Sequence, residues 1–263
     1  MKKPFLSALA MVALAFVGVA QAGPLSPLYL TYSGTDSNII VVQGNSIINT
    51  FPEAYGSPIE IPIAVSGDVR TIGAYPGSLG GQYTLGGTPT GTSYVTPSVI
   101  SDGGVYDSTT DGTHNYLVDF DTGVVYQTAR DFTNPVALFN VSAYELGITY
   151  DAVDHSLWIS DWAGTMVTQY SLSGTALSSF DTGYFENGAL ALDPGDQTLW
   201  MVTNGLDNNL RQYSKAGALL SVGPNVGYTL GGEFNETPEP GSWILFGSGM
   251  LGLGSLLRRK IKL

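Results

Sequence analysis

The sequence predicts an all-β fold, a β-propeller of about five four-stranded blades, with six blades as the alternative count. Glycine, threonine, serine and aromatic residues dominate the middle of the 263-residue chain, and no stretch there carries a helical apolar stripe. Short β-branched and aromatic runs alternate with Gly, Asn and Asp clusters, which is the pattern of strands and turns. A motif also recurs every 42 or 43 residues, the length of one propeller blade.

The repeat is clearest around two tryptophans. Trp158 and Trp200, each preceded by Leu, lie 42 residues apart, and Tyr170 and Tyr213, each preceded by Gln, lie 43 residues apart. Such units cannot bury both faces of a sheet alone, so large residues at one strand position are expected to fill the space between neighbouring blades. The predicted gap-filling residues are Tyr29, Tyr116, Trp158 and Trp200 on second strands, and Tyr83, Tyr126, Tyr170 and Tyr213 on third strands.

The first and last copies of the repeat are incomplete. The first copy begins at Leu28, in its second strand, and Gly227–Phe234 is left over as a spare strand near the other end. An open ring would leave two unprotected sheet edges. We therefore expect Gly227–Phe234 to pair beside Leu28–Tyr32 and close a ring of five blades between Gly23 and Asn235.

One blade shows a resemblance to known propellers. Tyr150-Asp151 is followed six residues after the aspartate by Leu157-Trp158, and Asp161 comes three residues later. This arrangement is similar to the blades of NHL and SMP-30-type propellers. The shared residues build the blade, so the resemblance implies a fold and not an activity.

The C-terminus combines a short motif, an apolar run and a basic cluster. Pro238-Glu239-Pro240 precedes residues 241–257, which are long enough for a helix of about 25 Å and so for a short membrane span. The basic cluster that would hold the helix in the membrane is formed by Arg258, Arg259, Lys260 and Lys262. This order resembles the PEP-CTERM sorting signal of exopolysaccharide-producing Gram-negative bacteria, which implies processing by an exosortase.

The N-terminus has the features of a secretory signal peptide. Lys2-Lys3 precede the apolar run Phe5–Val19, and Ala20-Gln21-Ala22 is a small-x-small cleavage site. The chain is thus predicted to comprise a signal peptide (1–22), a propeller domain (23–235) and a sorting signal (236–263). We expect an exported protein that is membrane-anchored before processing and then resides at the cell surface or in the extracellular matrix.

Composition excludes several function classes. Six of the ten basic residues and two of the 22 acidic residues lie in the two targeting segments, so the propeller domain keeps four basic against 20 acidic residues, a net charge of −16. Such a chain repels nucleic acids and anionic lipid surfaces. There is no cysteine, which excludes disulfides and thiolate metal sites.

Acidic residues recur in pairs that the repeat assigns to the turn between the first and second strands. Calcium binding and capping of tight turns are the two interpretations, and recurrence in three blades favours capping. His114 and His155 occupy matching turn positions, and two such ligands make a poor zinc site. The recurring pairs are Asp107 with Asp111, Asp151 with Asp154, and Asp193 with Asp196.

A second set of polar residues follows the second strands. Asp119 and Asp161 lie three residues after Tyr116 and Trp158, and Thr203-Asn204 follows Trp200. Carboxylates at this place can face the ligand side of a propeller. Asp119, Asp161 and Asn204 are therefore the candidate catalytic residues, if the protein is an enzyme.

Two functions remain open. The preferred one is a non-enzymatic surface or matrix propeller that binds polysaccharide or protein in an exopolysaccharide or biofilm setting and needs no cofactor. The alternative is an extracellular hydrolase or lactonase-like enzyme that uses Asp119, Asp161 and Asn204, with calcium as its cofactor. The enzyme requires polar groups that converge on one substrate atom, whereas the binding protein requires exposed aromatic residues on one rim.

Overall fold

A computed structural model describes residues 24–33, 38–56 and 60–235. These residues form twenty β-strands and no α-helix. In chain order the strands are β1 (Leu28–Tyr32), β2 (Asn38–Gln43), β3 (Ser46–Pro52), β4 (Glu60–Val65), β5 (Val69–Gly73), β6 (Leu79–Tyr83), β7 (Pro89–Val95), β8 (Ser108–Thr110), β9 (His114–Val118), β10 (Val124–Ala129), β11 (Val136–Asn140), β12 (Glu145–Asp151), β13 (Ser156–Asp161), β14 (Met166–Ser171), β15 (Ala176–Asp181), β16 (Asn187–Leu192), β17 (Leu199–Thr203), β18 (Asn209–Tyr213), β19 (Leu219–Asn225) and β20 (Thr229–Phe234).

The strands form five antiparallel sheets of four strands, which confirms the all-β propeller and the count of five blades. Blade 1 has the order β20-β1-β2-β3, and blades 2 to 5 are β4–β7, β8–β11, β12–β15 and β16–β19. The first strand of each blade is the innermost, and its residues are buried along its whole length. These five inner strands contact one another in a closed ring around the axis.

Ring closure occurs at the predicted place. β20, the last described strand, pairs with β1, so that Leu28 lies opposite Phe234 and Tyr32 lies opposite Thr229. The closing strand begins two residues later than the predicted Gly227, and it supplies the first strand that blade 1 lacks in the sequence.

The two tryptophans of the repeat fill the spaces between blades, as predicted. Trp158 is 1% exposed and packs with Leu190 and Met201 of blade 5, while Trp200 is fully buried and packs with Leu30 of blade 1. The indole N–H of Trp158 also donates to the carboxylate of its own turn residue Asp151, at 3.2 Å. Each blade is therefore completed by its neighbour.

Asp107 differs from its predicted position. It lies before β8 rather than in the turn after it, and its fully buried carboxylate lies at the axis. One oxygen accepts the backbone N–H groups of Ser108 and Gly232, both at 2.9 Å, and the other accepts those of Ile148 at 3.1 Å and Leu190 at 3.2 Å. The donors belong to inner strands of four blades. The prediction that Asp107 belongs to a turn pair with Asp111 was wrong, because Asp107 has no acidic counterpart in the other repeats.

The ring has two faces, which we call the front and the back. The front face carries the loops that enter each inner strand and the loops between second and third strands. The back face carries the turns between first and second strands. Each inner strand thus runs from front to back.

The targeting segments lie outside the described residues. This holds for the signal peptide with its cleavage residues Ala20 and Ala22, and for 236–263 with Pro238-Glu239-Pro240, the predicted helix 241–257 and the basic tail. Within the described residues, no helix is long and apolar enough to cross a membrane.

Candidate functional site

An aromatic pocket of about 290 Å³ opens on the front face at the axis. Its walls come from blades 1, 3 and 4, and large apolar rings alternate with hydroxyl groups. The residues that line this axial pocket are Ser33, Tyr106, Phe120, Leu146, Trp162, Tyr228 and Leu230.

The repeat explains why these side chains converge. Phe120 and Trp162 each lie four residues after the gap-filling residue of their second strand, and Ser33 lies four residues after Tyr29. The loops after second strands meet around the axis, so this position faces the pocket in several blades. In blade 5 the same position holds Asn204.

Contacts between rings hold the pocket walls in place. Tyr106 meets Phe120 edge to face, with centroids 5.2 Å apart, and Trp162 meets Tyr228 at 6.2 Å. Edge-to-face pairs of this kind are favourable geometries for aromatic side chains. Burial and the neighbouring hydroxyl of Tyr75 raise the pKa of Tyr106, so its phenol stays protonated and can donate a hydrogen bond at neutral pH.

The carboxylate of Asp119 is engaged in hydrogen bonds with its own loop and with the loop before blade 3. Its side chain is 1% exposed, and one carboxylate oxygen accepts the backbone N–H of Ser101 at 2.6 Å. The other accepts the Ser101 hydroxyl at 2.7 Å and the N–H of Thr122 at 3.1 Å. These bonds join the loop before blade 3 to the loop after its second strand.

Asp161 and Asn204 also make local hydrogen bonds. Asp161 accepts the N–H of Gly164 at 2.7 Å. The side-chain amide of Asn204 donates to the carbonyl of Thr229 at 2.8 Å and accepts the N–H of the same residue at 3.3 Å. Neither residue, nor Asp119, lines the axial pocket of the described structure, and their catalytic role stays a prediction.

The acids in the back-face turns cap those turns, as the sequence favoured. Asp111 accepts the N–H groups of Thr113 and His114, and Asp151 accepts those of Val153 and Asp154. Asp196 accepts the N–H of Thr198 in the same way. No group of three or more His, Asp or Glu side chains in the described residues has the arrangement of a metal site.

Two buried glutamates escaped the sequence analysis. Glu145 is 8% exposed and lies opposite Asp161, and burial followed by the charge of Asp161 raises its pKa to about 8. Glu53 is equally buried, and its pKa is also raised to about 8, chiefly by burial with a contribution from Glu60. Glu145 begins the inner strand of its blade, as Glu60 does in blade 2, so a repeat alignment extended to the first strands would have found Glu145. Glu53 follows the outer strand β3 and lies outside such an alignment.

Glu60 and Glu145 occupy equivalent positions with different surroundings. Glu60 accepts the N–H groups of Tyr55 and Gly56 and the hydroxyls of Thr71 and Tyr83, all within 2.7 Å. Glu145 has Asp161 as its charged neighbour. A buried carboxyl group with a raised pKa, Glu145, opposite a second carboxyl group, Asp161, is an arrangement that supports proton transfer.

Comparisons with known proteins address the tail and the fold. The model of the PEP-CTERM protein-sorting motif matches residues 236–260. No curated protein matches the sequence significantly. Among solved structures, the chain is similar to a chain of the nidogen/laminin complex, with a TM-score of 0.56 at 16% identity, covering 80% of this chain and 82% of that one.

Two bacterial structures show a similar likeness. A protein of unknown function from Bacteroides caccae gives a TM-score of 0.55 at 11% identity, covering 81% of this chain and 100% of that one. The glutaminyl cyclase of Myxococcus xanthus gives 0.51 at 14% identity, with coverages of 72% and 76%. At these identities the likeness shows the fold alone.

Fold and sorting motif together define the class: this is an exported five-bladed β-propeller protein. It carries a PEP-CTERM sorting signal, which implies exosortase processing and a membrane-anchored precursor.

Proposed function

We propose that the protein is a non-enzymatic propeller that binds polysaccharide through its axial pocket, at the cell surface or in an exopolysaccharide or biofilm matrix. The observation that carries this proposal is a pocket with aromatic walls and hydroxyl groups, at the front end of the axis. Small ligands are bound mostly in such concave apolar sites with a few polar groups that fix orientation.

The chemistry of the pocket matches that of a sugar ring. A pyranose has apolar C–H faces and a polar edge of hydroxyl groups. Phe120 and Trp162 offer apolar surface for the faces, while Tyr106, Tyr228 and Ser33 offer hydroxyl groups for the edge. The propeller domain has a net charge of −16, so a neutral or cationic polysaccharide fits better than an anionic one.

The setting supports the same proposal. The chain matches the PEP-CTERM sorting motif. This signal resembles that of exopolysaccharide-producing bacteria, so the released or anchored protein would meet such polymers. Exosortase and the export machinery are the partners that the motif implies for the precursor, with the membrane as a transient partner.

An extracellular hydrolase or lactonase-like enzyme is the second candidate, and the Glu145–Asp161 pair is the observation that favours it. A carboxyl group with a pKa of about 8 can act as a general acid at neutral pH. We rank this candidate second because the three residues predicted for catalysis already make structural hydrogen bonds.

Binding of Trp162→Ala to the exopolysaccharide purified from the source bacterium tests the proposal. Loss of one aromatic wall should weaken binding at least tenfold in affinity electrophoresis. Leu177→Ala on the outer strand β15 removes a side chain that is 52% exposed and should bind normally. Equal binding by wild type and Trp162→Ala would refute the proposed site. Release of new reducing ends that stops in Glu145→Gln would favour the enzyme.

A further inference from the structure

The floor of the axial pocket is closed. Leu146 and Leu230 line the pocket and are 2% and 6% exposed, and they pack with Ile61 and Ala74 in one cluster. These four residues come from the front ends of blades 1, 2 and 4. The pocket therefore ends in a layer of packed apolar side chains.

Below this layer the axis is filled by hydrogen-bonded groups. Ile148 and Gly232 lie two residues further along the same strands as Leu146 and Leu230, and their N–H groups donate to Asp107. The hydroxyl of Thr31 donates to the carbonyl of Ile61 at 2.7 Å. Asp107 and Thr31 are fully buried, so among the described residues the axis below the pocket is occupied by protein groups.

We infer that the axial pocket binds the terminal sugar of a glycan chain rather than a sugar within the chain. The inference rests on the proposed function. A cavity of about 290 Å³ lies at the small end of the range of about 300–1,000 Å³ that is usual for ligand pockets. An internal sugar has two neighbours, and both would have to leave through the single opening, whereas a terminal sugar has only one.

The rim indicates where the next sugar lies. Tyr75 and Tyr144 are 41% and 50% exposed at the front face. They contact the pocket walls edge to face, Tyr75 with Tyr106 at 6.4 Å and Tyr144 with Phe120 at 5.3 Å between centroids. The second sugar of the chain would contact Tyr144 or Tyr75. The third and following sugars would extend into solvent without contacting the protein.

Calorimetry with size-selected fragments of the purified exopolysaccharide tests this inference on the full-length protein in detergent. The Kd per chain should improve from one sugar to two and then change less than about threefold up to eight. Stoichiometry should stay at one protein per chain, including on the long polymer. A Kd that falls tenfold or more between two and eight sugars, or several proteins on one octasaccharide, would overturn terminal recognition while leaving polysaccharide binding intact.

Two variants separate the pocket from the rim in the same experiment. Trp162→Ala should weaken all fragments by the same factor, since each places its terminal sugar in the pocket. Tyr144→Ala should weaken fragments of two or more sugars and leave the monosaccharide unchanged. A Trp162→Ala protein that loses only long fragments would contradict the inference. Absence of binding by wild-type protein to every fragment would overturn the proposed function and this inference with it.

A second inference follows from where the described chain ends. Leu25 donates its N–H to Asp193 at 3.0 Å, and Asn235 accepts the N–H of Gly67 at 3.1 Å. Asp193 and Gly67 both lie in turns between first and second strands, so both ends of the described chain lie on the back face. β20 runs through the ring from the pocket to Asn235, and its six residues span about 20 Å.

We propose that the anchored precursor stands with its back face toward the membrane and its axial pocket away from it. The sorting motif begins at residue 236, directly after Asn235. Only five residues (236–240) separate Asn235 from the apolar run 241–257, and they reach at most about 18 Å. Such a tether is too short for the ring to turn over, so the precursor presents its pocket to extracellular polymer before exosortase acts.

The absence of cysteine allows a direct test, because a single new thiol can be labelled alone. Ala152 and Ala163 are exposed and lie in back-face and front-face turns of the same blade. In liposomes that contain the full-length protein and nitroxide headgroups, a fluorophore on Ala152→Cys should be quenched at least threefold more than one on Ala163→Cys. Equal or reversed quenching would overturn the orientation, and so would failure of the chain to enter liposomes.

Discussion

The carboxylate of Asp107 accepts the backbone N–H of Gly232 at 2.9 Å, across 125 positions of the chain. This bond joins the entry of blade 3 to the closing strand of blade 1. The same carboxylate accepts N–H groups from blades 4 and 5, so one side chain connects four of the five inner strands. Ring closure therefore depends on the axis as well as on the pairing of β20 with β1.

Replacing Asp107 with alanine should destabilise the whole ring. The change leaves the buried N–H groups of Ile148, Leu190 and Gly232 without their acceptor, and each such group costs about 1–3 kcal/mol. We expect the free energy of unfolding in urea to fall by at least about 3 kcal/mol. Asp196→Ala, in an exposed turn, is the control. If the Asp107→Ala protein is as stable as this control, Asp107 does not have the proposed role at the axis.

The tryptophans between blades should be far more important for stability than the one in the pocket. Trp158→Ala and Trp200→Ala each remove a fully buried ring and should cost about 3–5 kcal/mol. Trp162→Ala lies at the pocket wall, is partly exposed, and should cost clearly less in the same urea titration. Near-normal stability of Trp200→Ala would mean that blade packing does not depend on this position.

Much of the fold could be predicted from the sequence because the repeat is a physical necessity of blade packing. Trp158 and Trp200 recur because each fills the same kind of space, and the spare strand at 227–234 could be recognised by counting strands. The pairing of Leu28 with Phe234 then follows from the need to protect two sheet edges.

The candidate site was harder to predict, for reasons that depend on single positions. Asp119 and Asp161 were singled out because they are acidic, yet the next residues, Phe120 and Trp162, line the pocket. Which of two adjacent loop residues faces the axis depends on the backbone of the loop, and strand periodicity does not determine it. Asp107 was misplaced because a residue that bonds to four blades occurs once in the ring and cannot form part of a repeat.

Removal of the C-terminal segment should change location without opening the ring. A protein that lacks 241–263 keeps β20 and its pairing with β1, and it loses the apolar run and the basic cluster. We expect it in the soluble fraction after export, with the melting temperature of the processed protein. A truncation that begins at residue 227 also removes β20 and should fail to fold. Persistent membrane association of the first truncation would refute the anchor.

Calcium and magnesium should stabilise the protein equally. The high negative charge lets any divalent ion relieve some self-repulsion, whereas a calcium site of about seven oxygen ligands would prefer the larger ion. Thermal melts with each chloride at the same concentration should therefore shift together. A bound calcium ion would add about 2.7 kcal/mol at a hundredfold excess over its Kd. A shift specific to calcium that disappears in Asp161→Asn would instead support the calcium-dependent enzyme.

The two buried glutamates should make the protein less stable as the pH rises toward 8. Burial raises the pKa of Glu53 and of Glu145 from about 4.5 to about 8, so the folded protein holds two protons that the unfolded chain has released. The free energy of unfolding therefore falls between about pH 4.5 and pH 8. One pKa unit corresponds to about 1.4 kcal/mol, so even part of each shift should be measurable in urea titrations.

Glutamine variants show whether these two carboxyl groups cause the pH dependence. Glu145→Gln and Glu53→Gln stay neutral at every pH, so each should flatten the fall in stability between pH 5 and pH 8, and the double variant should flatten it most. Glu186→Gln, also in a front-face loop, is the matched control and should retain the wild-type slope. A double variant with the wild-type slope would place the buried protons elsewhere.

The opposite trend is expected at low pH. Hydrogen bonds and ion pairs lower the pKa values of Asp151 and Asp207. Stability is therefore lost as both carboxylates become protonated below about pH 4.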